Sequence, residues 1–196
     1  MTMAEFLEVE KEAKAVRLPD LYEVINGEIV EVPAMSFNAV EIANILNEFI
    51  IQYLALHRIG RSRVEQMFHI PVMDDESRIR RPDVAYISYE RLPKSRRIPL
   101  RGHAIDGIVP DIAIEVISPN ELAVDVHVKI LEYLNANVKS VWVIIPDVCQ
   151  VFVYTSPTTV RIYALTDTLD AGEILPGFTV PVAELFPETD DDPASE

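Results

Sequence analysis

Apolar and polar positions change period several times along the chain, and each change marks an element. The segments LYEVI (21–25) and EIVEV (28–32) flank Asn26-Gly27, a dipeptide that reaches positive φ easily and predicts a hairpin with a two-residue turn. From Asn38, with Glu41 three residues on as its capping-box partner, apolar residues fall at Ile42, Ile45, Leu46, Phe49, Ile50, Tyr53 and Leu54. That spacing is one face of a helix, which should end near residue 58, ahead of Gly60. Residues 2–15 predict a short amphipathic helix capped by Thr2, 63–72 and 83–88 predict strands, and 89–110 form a Pro- and Arg-rich loop.

The second half alternates in kind. A strand over 111–117 is followed by a helical stretch near 120–136, capped by Ser118 or Asn120, and then by VWVII (141–145), VFVY (151–154) and RIYAL (161–165). A strand, a helix and another strand, with both strands apolar on both faces, predict a crossover unit in a sheet covered on each side. VFVY is apolar enough to serve as a sheet edge through which two copies pair. A chain of 196 residues supports one sizeable core, so residues 1–187 are expected to form a single domain. The segment 188–196 is acidic, contains proline and lacks apolar anchors, which predicts a disordered tail.

Composition narrows the class. Apolar residues make up 49% of the chain, but polar residues interrupt every apolar run well before the roughly 18 residues of a membrane span. The N-terminal stretch mixes acids with its apolar residues, unlike a secretory signal, so a cytoplasmic location is expected. The single cysteine, Cys149, excludes an intrachain disulfide and reads as a buried, inert thiol.

The net charge of −15 argues against a nucleic-acid partner until its distribution is read. Residues 58–101 hold eleven of the seventeen Lys and Arg against six acids, a local balance of +5, and the remainder carries −20. One face could therefore attract a polyanion while the rest repels it.

The residue that asks for chemistry is Glu115. It stands inside IAIEVIS (112–118), a run otherwise suited to a buried strand, where an ionised carboxylate needs a partner or a metal. Asp111 shares its face but lies about 13 Å away along the strand, too far to share an ion. Asp83, in RRPDVAYIS, opens the preceding strand and could lie across from Glu115. Adjacent strands are about 4.8 Å apart, so the two carboxylates could converge on one hard cation. A salt bridge to an arginine or a place near a sheet edge would also account for Glu115.

These residues carry a family resemblance. The Pro82-Asp83 pair followed by an acid on the next apolar strand resembles the PD-(D/E)XK nuclease superfamily. The ordered set NGEIVEV, RPDVAYIS, PDIAIEVISPN, DVHVKILEY, VKSVWVIIPD and LPGFTVPVAELF resembles, over residues 20–187, the bacterial family of putative restriction endonucleases of Uma type. The resemblance implies an α/β (α+β) fold, restriction-endonuclease-like, with a mixed central sheet flanked by helices behind an N-terminal hairpin. It also implies Mg²⁺ or Mn²⁺ held by Asp83 and Glu115, which the main-chain carbonyl of Val116 could join as a further ligand, and hydrolysis of phosphodiester bonds in DNA. Two residues after Glu115, where the superfamily signature has its lysine, stands Ile117. The family's lysine in the following helix corresponds to Lys129, which would help to orient or activate the attacking water. Arg80, Arg81, Lys94, Arg96 and Arg97 would hold the DNA backbone, and a homodimer would present two sites to two strands.

Simpler accounts exist for several of these positions. Asp125 and Lys129 are spaced i,i+4, as in an ordinary surface ion pair. Tyr133, one turn beyond, reads as packing, Trp142 as core, and His57, His69, His103 and His127 show no metal-ligand spacing. A nuclease-fold protein without catalysis, acting as a binding or oligomeric scaffold, is the alternative function. A hydrolase of small phosphorylated metabolites lacks a glycine-rich phosphate loop.

Overall fold

The computed structural model describes residues 21–96, 104, 105, 107–119 and 121–186. The predicted N-terminal helix, the tail beyond 187 and Arg97 lie outside the described residues. In chain order the elements are β1 (Tyr22–Ile25), β2 (Glu28–Glu31), α1 (Phe37–His57), β3 (Gly60–Val64), β4 (Phe68–His69), β5 (Ile79–Arg80) and β6 (Val84–Ser88). They continue with β7 (Ile112–Val116), α2 (Ala123–Asn135), β8 (Ser140–Ile145), β9 (Gln150–Ser156), β10 (Thr159–Tyr163), β11 (Thr168–Asp170) and β12 (Thr179–Pro181).

A mixed six-stranded sheet in the order β10-β9-β8-β7-β6-β3 forms the centre. Within it β7 and β8 run parallel, and α2 joins them, which is the crossover unit expected from the strand, helix, strand pattern. Alternation divides the strands between two cores. On one face Val84, Tyr86, Ile112, Ile114, Val116 and Trp142 pack with the α1 stripe of Ala39, Ile42, Ala43, Leu46, Ile50 and Leu54. By length and composition α1 is apolar enough to cross a membrane, yet this buried stripe makes it a core helix. On the other face Ala85, Ile87, Ala113, Val141 and Val143 pack with Ile130 and Tyr133 of α2.

A second, four-stranded sheet in the order β2-β1-β5-β4 carries the hairpin, whose turn residues Asn26 and Gly27 have φ of 53° and 79°. Several expectations are corrected in detail. The α1 cap is Ser36, whose hydroxyl accepts from the Ala39 amide at 3.2 Å, and not Asn38. The cap of α2 is Leu122, without a side-chain bond, in place of Ser118, and Asn120 lies outside the described residues. The segment 63–72 is two strands in two sheets, because the left-handed Glu65 (φ 49°) breaks it after Val64. VFVY lies in β9, an interior strand, and the edge belongs to β10. Cys149 is half-buried, its thiol donating to the Pro146 carbonyl at 3.5 Å.

Candidate active site

The site arises where β6 and β7 lie side by side. They are antiparallel with Val84 opposite Ile114, so the same register carried one residue further sets Asp83 opposite Glu115. The Val116 amide donates to Asp83 Oδ2 at 2.6 Å and ties the start of one strand to the end of the other. Because the period is two, Asp83 and Glu115 share the face covered by α2.

Glu115 is 5% exposed, and α2 supplies a partner for each of its oxygens. Tyr133 Oη donates to Oε1 at 2.8 Å, and Lys129 Nζ reaches Oε2 at 3.4 Å. These residues are spaced i,i+4 and so occupy one helix face. Lys129 therefore points inward; its second ion pair is with Glu121 Oε1 at 3.5 Å. Tyr133, read from sequence as packing, packs and also carries a bond to the site.

The electrostatics follow from burial. Asp83 keeps some surface, yet it is enclosed enough that burial, followed by the nearby Glu115 charge, pushes its carboxyl well above the usual range. Burial also raises Glu115, against the opposing pull of Lys129 and Tyr133. Lys129 is raised, first by Glu115. Two acids crowded into a dry corner resist carrying two negative charges unless further positive charge arrives.

A buried ion-pair network braces this corner from the smaller sheet. Arg80 is 5% exposed; its Nη1 meets Glu23 Oε2 at 2.6 Å and its Nε meets Glu132 Oε2 at 2.7 Å. Arg78 Nη1 bonds the other Glu132 oxygen at 2.7 Å, and its Nε bonds Asp75 Oδ2 at 2.9 Å. Glu132 lies between Lys129 and Tyr133 in sequence, so the network fixes the turn of α2 that serves Glu115. The negative charge of Glu23 contributes to the raised pKa of Glu115. Sequence reasoning missed Glu23, Arg78 and Glu132. Glu23 alternates with apolar residues in YEVI, Arg78 precedes β5 and Glu132 lies in α2, positions that are ordinary for charged residues in their own segments.

The proposed DNA contacts are dispersed. Arg80 is committed to the network and is not presented to solvent. Arg81 is half-buried, its main-chain N–H donating to Glu23 Oε1 at 3.1 Å and its guanidinium 5.8 Å from the Tyr22 ring. Lys94 and Arg96 are exposed. Asp111 is fully buried and paired with Lys139 at 2.8 Å and Arg91 at 3.2 Å, away from the site.

Oxygen donors of this type suit a hard cation. Among the described residues no group of three or more His, Cys, Asp or Glu side chains is placed to hold an ion. Two carboxylates are nonetheless the usual protein share for Mg²⁺, which keeps waters and takes substrate phosphate oxygens as its other ligands.

The family model of Uma2, described as putative restriction endonuclease, matches residues 3–183. The chain belongs to the Uma2 family. Its fold is also similar to the crystal structure of a putative nuclease belonging to DUF820 from Anabaena variabilis ATCC 29413, with a TM-score of 0.76 and 21% sequence identity. The likeness covers 95% of this chain and 97% of that one. No curated protein matches the chain. In this Uma2 chain Asp83 and Glu115 lie across neighbouring strands, and Lys129 reaches Glu115 from α2 at 3.4 Å.

Proposed function

We propose that the chain is a divalent-metal-dependent DNA endonuclease. The observation that supports this best is the pair of acids, Asp83 and Glu115, opposed on neighbouring strands with Lys129 turned onto the same carboxylate. Asp83, Glu115 and the main-chain carbonyl of Val116 would hold Mg²⁺ or Mn²⁺. When bound, the cation supplies Lewis-acid stabilisation of phosphate charge and lowers the pKa of a water.

The chain's own residues do the rest. Lys129 stays cationic at neutral pH, because Glu115 raises it, so it offsets negative charge on the reacting phosphodiester and orients the attacking water. Tyr133 holds one oxygen of Glu115 and fixes the plane of the carboxylate. Arg80, through Glu132, keeps the helix turn bearing Lys129 in register with β7. Placement of this kind lowers a barrier by removing the need to reorganise charge during the reaction.

Purified protein is expected to nick or cut plasmid, branched or single-stranded DNA with Mg²⁺ or Mn²⁺, and Glu115→Ala to abolish this while remaining folded. Absence of cleavage on all three substrates would overturn the assignment.

One observation favours a second reading, a non-catalytic scaffold. Lys129 and Tyr133 already partner Glu115, an arrangement that is satisfied without a metal. Calorimetry showing no binding at millimolar Mn²⁺ by folded protein would favour it. A homodimer, bringing two sites to two strands, belongs to the nuclease proposal; the outermost strand β10 exposes Val160 at 43% and Ile162 at 50%.

A further inference from the structure

β3 is the outer strand at the opposite edge of the central sheet from β10. Its register pairs Arg63 with Ala85 and Arg61 with Ile87, which puts both arginines on the face shared by Asp83 and Glu115. Arg63 is then one strand over and two residues along from Asp83, about 4.8 Å across and about 7 Å along. Arg61 follows two residues further out.

The row continues into the turn after β6, which is tied to the start of β3 by the Tyr89 amide donating to the Ile59 carbonyl at 2.9 Å. Lys94 Nζ lies 4.5 Å and Arg61 Cζ 5.5 Å from the centre of the Tyr89 ring. Arg61 Nη2 also donates to the Lys94 carbonyl at 3.3 Å. One aromatic ring thus organises two cations from two segments.

Acids are scarce around these cations. The hydrogen bonds of Arg61 and Arg63 go to main-chain carbonyls, those of Lys94 and Ser62, and among the described residues neither arginine pairs with a carboxylate. Burial, and then the neighbouring Arg61 charge, lower Arg63 from its ordinary value. Like charges gathered this closely repel unless an anion offsets them. The chain as a whole carries −15, so this edge runs against the general charge. Glu90, exposed in the same turn, and Glu65, at the strand end, are the acids of these two segments.

We propose that Arg63, Arg61 and Lys94 form a track for the phosphodiester backbone of a DNA strand, leading along the β3 edge toward Asp83 and Glu115. The proposal rests on the nuclease reading for its choice of DNA. Two arginines separated by one residue on a strand face, extended by Lys94 from the neighbouring turn, suit the successive phosphates of a strand and read no bases, so the track positions the strand without selecting sequence. It assigns the backbone role to Arg61 and Arg63 in place of the buried Arg80.

The test is binding without cleavage. Fluorescence anisotropy would follow wild type, Arg61→Ala, Arg63→Ala, Lys94→Ala and the triple variant on duplex DNA, single-stranded DNA and duplex RNA, in EDTA, over a salt series. Each single change is expected to weaken DNA binding several-fold irrespective of sequence. The triple change should flatten the slope of log K against log salt by about 2 to 3, since each phosphate that a duplex no longer has neutralised accounts for about 0.9. Circular dichroism should be unchanged and the melting temperature should not fall, since the three side chains form no part of a core and their removal relieves like-charge repulsion. A triple variant with wild-type affinity and slope overturns the track, as does a wild type that binds no DNA; binding to RNA alone overturns the choice of strand. Wild type that binds through the track yet never cuts with Mn²⁺ overturns the nuclease reading and leaves the track standing. Cutting by wild type with unchanged binding by the triple variant removes the track alone.

Discussion

Asp83 faces Glu115 across neighbouring antiparallel strands, and the Val116 amide bonds Asp83 Oδ2 at 2.6 Å. This places two carboxyl groups in a corner where burial opposes charge, so that ionising both costs the fold stability. Asp83→Asn keeps an acceptor for the amide and removes one charge. It is expected to raise the melting temperature of metal-free protein at neutral pH by a few degrees. The same change should reduce cutting by more than the ~100-fold at which changes to residues that merely orient a metal ligand level off. Scanning calorimetry and a plasmid assay on one preparation check both; a lowered melting temperature would contradict the electrostatic account.

The raised carboxyls of Asp83 and Glu115 predict a pH dependence with a defined sign. An acid whose folded pKa lies above its unfolded value, near 4, binds protons more tightly in the folded state. Its contribution is fully present below the unfolded value and is lost as pH rises through the folded one. Metal-free protein should therefore lose stability from mildly acidic toward neutral pH through these groups. Mn²⁺ should restore it increasingly as pH rises, with protons released on binding. Melting curves with and without Mn²⁺ at several pH values, and calorimetry in buffers of different ionisation enthalpy, measure the two effects.

Tyr133→Phe removes only the hydroxyl that orients Glu115. The loss of a hydrogen bond to a charged group is expected to cost about 1.5–3 kcal/mol when Glu115 is ionised. It should also weaken Mn²⁺ binding by about 10-fold or more. Urea unfolding and Mn²⁺ titration report these separately; wild-type Mn²⁺ affinity in the variant would return Tyr133 to a packing role.

Lys129→Met separates charge from burial. Cutting should be lost, while Mn²⁺ binding should persist or tighten, because the cation no longer competes with the ammonium for Glu115 Oε2. Loss of binding together with cutting would give Lys129 a structural role.

Arg80→Met leaves Glu23 and Glu132 buried without their shared cation. Breaking a buried pair from one side costs about 3–5 kcal/mol. Chemical denaturation should show a loss in that range, and Arg81→Ala, at a half-exposed position, a much smaller one.

Local signals made much of the fold legible. The Asn26-Gly27 turn, the 3.6-residue spacing of α1 and the change of period through β7, α2 and β8 each declare themselves within a short window. The opposition of Asp83 and Glu115 could be anticipated because a buried acid demands a partner and Asp83 immediately precedes β6. The bracing of the site could not, since Glu23 and Arg80 meet across 57 residues and neither is unusual in its own segment. The division of 63–72 between two sheets was equally hidden, because it turns on the left-handed backbone at Glu65.

By itself, then, the sequence determined the elements, the family pattern and the presence of an acid in a dry strand, because hydrophobic periodicity and turn chemistry are local properties. Only the tertiary structure decided which cations serve that acid, turning Lys129 inward, enclosing Arg80 and leaving Arg61 and Arg63 on an open edge. The reason is physical: charge energetics depend on burial and on neighbours distant along the chain, and both exist only once the sheets have packed.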